Sequence, residues 1–92
     1  MMKATKIKMK SGCHFSNNLV EIDEIYVADC INPGFYKKAA VYDCLVQNPR
    51  SIQVNIAPFP DLLPALSAYD EKYVRSQAND SPHDNLLKLP RE

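Results

Sequence analysis

Two stretches of this chain alternate apolar and polar residues too regularly for a helix. From Thr5 to Lys10, Thr5, Ile7 and Met9 share one phase and Lys6, Lys8 and Lys10 the other. From Ser51 to Ala57, Ile52, Val54 and Ile56 share one phase and Gln53 and Asn55 the other. A period of two belongs to strands with one face on a core and one in water. Such strands need a partner layer over their apolar face, so the rest of the chain has to supply it. Residues 19 to 28 read as another strand, rich in branched and aromatic side chains. Its phase slips by one between Val20/Ile22 and Ile25/Val27. One extra residue near Asp23–Glu24, a β-bulge, accounts for the slip.

The covering layer is expected over residues 33 to 48. Asn32 is a good N-cap, and Pro33 suits a first helical position because its missing N–H has no partner there. Phe35, Ala39, Tyr42 and Val46 recur at helical spacing, with Cys44 and Leu45 widening the stripe. Pro49 predicts a stop near Gln47 or Asn48. Residues 61 to 78 fit two patterns. Leu62, Leu63, Leu66, Tyr69 and Tyr73 could form a helical stripe. The favoured alternative is a hairpin, with strands over 64–69 and 72–77 about Asp70–Glu71, because Tyr73-Val74-Arg75 prefers strand and Pro64 is tolerated at an edge. A polar turn at residues 79–82 leads to Asp84-Asn85-Leu86-Leu87-Lys88-Leu89-Pro90, predicted to be a short helical turn laid on the domain.

These elements predict one α+β domain over residues 1–92. An antiparallel sheet of four to five strands packs on one main helix, in the order ββαβββ, with a short helical turn at the C-terminus. The expected core is Ile7, Met9, Val20, Ile22, Ile25, Val27, Phe35, Ala39, Tyr42, Leu45, Val46, Ile52, Val54, Ile56, Leu66 and Val74. Leu86, Leu87 and Leu89 close an edge.

Ninety-two residues leave room for a single core, and 46% hydrophobic with 24% charged residues excludes a wholly disordered chain. No apolar run approaches membrane-spanning length. No signal-peptide core follows Met1-Met2-Lys3, so a cytoplasmic location is expected. The three cysteines, Cys13, Cys30 and Cys44, form no CxxC pair and no even-numbered disulfide framework.

Lys72-Tyr73-Val74-Arg75-Ser76, followed by a polar turn and the Asp84-to-Pro90 segment, resembles the end of a family of small bacterial domains of unknown function. The family typically has Thr where Ser76 stands and a Pro-Asp-Gly-like turn where Ala78-Asn79-Asp80 stands. The resemblance implies a strand at Lys72–Ser76 and assigns no catalytic role, since the family has no established activity.

Four constellations could carry chemistry. Cys13-His14 with His83 and Asp80 or Asp84 is thin for a metal site, which usually takes four closely spaced N or S ligands. No metal and no cofactor is expected. Cys13 would need an imidazole converging on it to act as a nucleophile, and adjacency to His14 does not provide that. Tyr73 and Arg75, two apart on a strand, share a face and with His83 could bind a carboxylate or phosphate. The competing role for Arg75 is a structural lock to Asp80 or Asp84, with Asn85 tying the tail to the sheet. Lys3, Lys6, Lys8 and Lys10 form a basic strand, but Glu21, Asp23, Glu24 and Asp29 form an acidic one beside it, the net charge is zero, and aromatics do not alternate with the lysines along the chain. Nucleic acid is therefore not the expected partner. No Gly-rich phosphate loop, GxSxG or HExxH motif is present. The expected function is a non-enzymatic module that binds a protein partner or itself, a homodimer included. The alternative is a small-ligand-binding or enzymatic domain using Tyr73, Arg75 and His83.

Overall fold

The computed structural model describes residues 2–57, 59–77 and 85–92. β1 (Met2–Met9) pairs antiparallel with β2 (Ile22–Ala28), and β2 antiparallel with β3 (Gly34–Lys37). β4 (Ile52–Val54) pairs parallel with the other side of β1, giving the order β3-β2-β1-β4. β3 and β4 run the same way at opposite edges, so the chain between them must cross the sheet. α1 (Lys38–Gln47) is that crossover. β5 (Leu62–Leu66) and β6 (Lys72–Ser76) form a separate antiparallel hairpin packed against α1.

The α+β class, a hairpin and the C-terminal turn match expectation, although the hairpin's first strand runs Leu62–Leu66 rather than 64–69, leaving a longer connection over 67–71. The sheet is mixed rather than antiparallel, and a third strand precedes the helix. That strand is where the helix start was misplaced. Gly34 to Lys37 pair with Glu24 to Val27, and α1 begins only at Lys38. The later start rotates the buried stripe to Lys38, Val41 and Leu45. Ala39 and Val46 are exposed, and Phe35 and Tyr42 are half-buried. The stop before Pro49 is where the sequence placed it, with Asn48 N–H donating to the Cys44 carbonyl at 2.8 Å.

Two bulges decide which side chains reach the core. Lys8 faces Glu24 and Met9 faces Ile22, which leaves Asp23 as an extra residue in β2. This is the expected slip. Ala4 faces Val27 and Lys6 faces Tyr26, which leaves Thr5 extra in β1. That second bulge puts Ala4, not Thr5, in phase with Ile7 and Met9, and Ala4 is fully buried.

The core joins the sheet's inner face to α1, the hairpin and the tail through Ile7, Ile22, Ile25, Val27, Val41, Leu45, Ile52, Val54, Leu62, Val74, Leu86 and Leu89. Leu62 and Val41 were not anticipated. Val20, Ile56 and Leu87 are only half-buried, and Leu66 is exposed.

The tail extends the sheet. A 3₁₀ turn at Asn85–Lys88 leads to Arg91, which bridges Ile7 in parallel. Ile7 N–H donates to the Pro90 carbonyl at 2.9 Å, and Glu92 N–H to the Ile7 carbonyl at 3.0 Å. The edge of β1 is thus shared between β4 and the tail. The Arg91 guanidinium fixes this arrangement by donating to the carbonyls of His14 (2.7 Å), Ser16 (2.8 Å) and Leu87 (3.0 Å). Among the described residues, the arginine that locks the tail is therefore Arg91. The locking partners expected for Arg75, Asp80 and Asp84, lie outside the described residues.

Candidate functional site: an apolar groove beside an open edge

β3 is a terminal strand of four residues. The other terminal strand, β4, is partly covered, because Gln53 bridges Asp61 and Val54 N–H donates to the Pro60 carbonyl at 2.9 Å. Among the described residues, the uncovered edge of the sheet is therefore β3.

Beside it, between the sheet and α1, lies a groove of about 490 Å³. Its buried wall is Val27, Val41 and Ile52; Met2, Cys30 and Cys44 are half-buried in it; Ile31, Asn32 and Tyr36 form an exposed rim. Among the described residues, no carboxylate, lysine or arginine lines it.

Local bonding shapes the rim. Asp29 adopts φ of 57°, which turns the chain sharply out of β2. The Cys30 thiol then donates to the Val27 carbonyl at 3.6 Å, and the Tyr36 hydroxyl donates to the Asn32 carbonyl. The connection is pinned on both sides, and Ile31 is left pointing into solvent, 97% exposed. The sequence held no signal for this groove. Its lining comes from the start of β1, the end of β2, the β2–β3 connection, β3, the middle of α1 and β4, most of which meet only in the folded chain.

The residues singled out by sequence fall elsewhere. Tyr73 is half-buried and Arg75 exposed on the face of β6 opposite buried Val74 and Ser76, so these two share a face. They pair with Ala65 and Leu63 of β5. His83 lies outside the described residues. Cys13 and His14 do not converge. His14 packs edge-on against Phe15, with ring centroids 4.9 Å apart, while the Cys13 thiol donates to Glu21 Oε2 at 2.9 Å. That bond, followed by desolvation, raises the thiol pKa, which keeps the sulfur protonated rather than nucleophilic. Ser16 also donates to Glu21, and both bonds lower the Glu21 pKa. The structure thus puts a loop-closing hydrogen bond where a catalytic cysteine was considered. Among the described residues, no three His, Cys, Asp or Glu side chains gather into a metal site, and no helix is long and apolar enough to cross a membrane.

The expected pairing of the lysine strand with the acidic strand is met at Lys8, whereas Lys3 faces Ala28 and Lys6 faces Tyr26. Lys8 sits 3.8 Å from Glu24 across the β1–β2 ladder, and Lys37 of β3 lies 3.2 Å from Asp23. Lys6 pairs with Glu92 of the tail at 3.1 Å, and Lys10 with Glu71 of the hairpin turn at 2.9 Å.

No family model, no curated protein and no solved structure matches this chain.

Proposed function

We propose that this domain is a small non-enzymatic interaction module that associates with a second copy of itself through the groove and the β3 edge. The observation that carries this reading is that one patch holds both a knob and a hole. Ile31 stands fully in solvent at the rim of an apolar groove that is open beside it. A two-fold dimer needs such a self-complementary patch, because the surface each copy presents is the surface it must receive. The groove has room for Ile31 and the side chains flanking it. Burying one exposed isoleucine contributes about 1.5–3 kcal/mol, and two-fold symmetry doubles the gain. The adjoining β3 edge offers unpaired backbone groups to continue the sheet. A net charge of zero sets no long-range repulsion between copies.

Sedimentation velocity over a range of concentrations tests this. The expected result is a species of twice the 10.4 kDa chain mass that Ile31→Asp returns to monomer. A monomer at every concentration, or a dimer indifferent to Ile31→Asp, overturns it.

A second reading rests on the groove's volume, which lies within the roughly 300–1,000 Å³ of small-molecule sites. An uncharged apolar ligand would suit its lining. Native mass spectrometry separates the two readings: a reproducible small-molecule adduct on a monomer favours the ligand, and a bare dimer favours self-association. The Tyr73–Arg75 face is the site for the anionic-ligand alternative, since a guanidinium offers a bidentate fork to a carboxylate or phosphate.

A further inference from the structure

The outer face of the sheet, opposite α1, carries a pattern that the linear sequence does not display. Strand register places Lys3, Lys6 and Lys8 of β1 on this face, with Glu24 and Tyr26 of β2 and Phe35 and Lys37 of β3 beside them. Tyr26 and Phe35 meet edge to face at 5.2 Å. Lys6 Nζ lies 5.3 Å from the centre of the Tyr26 ring. Phe59 is held at φ of 59°, a costly conformation for a bulky residue, and is 48% exposed. Lys3 Nζ lies 5.9 Å from its ring. Aromatic rings and lysines that are far apart in the chain thus interleave on one open sheet surface.

From this juxtaposition we infer that the outer face binds single-stranded polynucleotide. Phe59 is exposed and Tyr26 and Phe35 are half-buried, so each presents part of a ring face on which a base of any identity can stack, with ammonium groups beside them to meet the phosphates. The same layout disfavours duplex, because duplex bases are stacked on each other and have no free π-face to offer these rings. The face carries Lys3, Lys6, Lys8 and Lys37 against Asp23, Glu24 and Glu92, a surplus of one positive charge. The Lys6–Glu92 and Lys37–Asp23 pairs are exposed and readily exchanged for phosphate, whereas Glu24, the partner of Lys8, is largely covered. With a surplus of one, stacking carries more of the binding than charge does. The site lies on the opposite face of the sheet from the apolar groove but shares β3 with the proposed self-association edge, so oligonucleotide binding is measured alongside the oligomeric state, and Lys6→Gln, away from that edge, separates the two.

Fluorescence anisotropy of labelled short oligo(dT) and oligo(rU) tests this, with two-dimensional amide NMR to map the contact. Binding is expected at low salt, with amide shifts at Lys3, Lys6, Tyr26, Phe35 and Phe59. A tenfold rise in salt is expected to weaken it only about fivefold, the effect of about one released counterion. Phe35→Ala on the edge strand is expected to weaken binding at least about fivefold. Lys6→Gln, which leaves the rings in place, weakens it and flattens the salt dependence. A preference between dT and rU identifies which polynucleotide the face selects. Absence of binding at low salt, shifts confined to other surfaces, equal binding of a duplex, or retention of binding by both variants overturns the inference. Tight binding of an added protein on the same face with no oligonucleotide binding also overturns it.

Discussion

Lys38 and Glu71 form an ion pair that joins the first turn of α1 to the turn of the β5–β6 hairpin. Lys38 is buried and also donates to the Val20 carbonyl, while Lys10 at the end of β1 reaches the same Glu71 oxygen. Three layers of the fold therefore converge on one carboxylate.

Acid should release this junction. The Lys38 hydrogen bond, then that of Lys10, holds the Glu71 pKa down to about 2 from an ordinary 4.5. A carboxyl whose folded pKa lies below its unfolded one stabilises fully above the unfolded value and loses that effect as pH falls through the folded value. Thermal unfolding of the wild type should thus weaken between about pH 4.5 and 2. Glu71→Gln should unfold at a lower temperature at neutral pH and show a shallower decline over that window. Parallel pH profiles for the two proteins would remove the junction from the account.

The tail clamp should be specific to a guanidinium. Arg91→Ala strips donors from three carbonyls; a buried hydrogen bond to a charged group contributes about 1.5–3 kcal/mol net, and these lie at or near the surface, where water replaces much of what is lost. A net loss of about 2 kcal/mol in urea unfolding is expected, with faster amide exchange at Ile7 and Glu92. Arg91→Lys should recover little, because an ammonium cannot span the same carbonyls in a planar fork. Full rescue by lysine would show that charge alone holds the tail.

Burial separates two adjacent leucines of the tail. Leu86 is fully buried and Leu87 half-buried. Leu86→Ala should cost about 2–5 kcal/mol, a transfer term plus a cavity, and Leu87→Ala distinctly less. Equal costs in chemical denaturation would contradict the docking of this turn.

Cys13 should resist alkylation. Its thiol is bonded to Glu21 and its pKa is raised, so little thiolate forms at neutral pH. Iodoacetamide labelling followed by peptide mass spectrometry should find Cys13 reacting slowly, and Glu21→Gln should accelerate it. Rapid labelling of wild-type Cys13 would reopen a nucleophilic role.

Most strands were legible because a half-buried strand writes its faces into alternation. The Asp23 bulge was legible for the same reason, as a slip of phase between two branched pairs. The Thr5 bulge was hidden because threonine and alanine both fit the pattern on either side of it. The helix was displaced because Asn32-Pro33 satisfies the chemistry of a helix start, while cross-strand pairing with β2 claims residues 34–37. Its buried stripe begins at Lys38, a lysine whose charge finds Glu71 and whose stem lies in the interior, so no scale of hydrophobicity marks it. The groove and the outer aromatic face were illegible because both are assembled from strands whose neighbours in space are not neighbours in sequence.

The most direct measurement of self-association through the groove is an isotope-filtered nuclear Overhauser experiment on a mixture of labelled and unlabelled protein. Intermolecular contacts are expected from the Ile31 methyls of one copy to Val41 and Ile52 of the other. A dimer whose intermolecular contacts lie away from Ile31, or a sample with none, would contradict it.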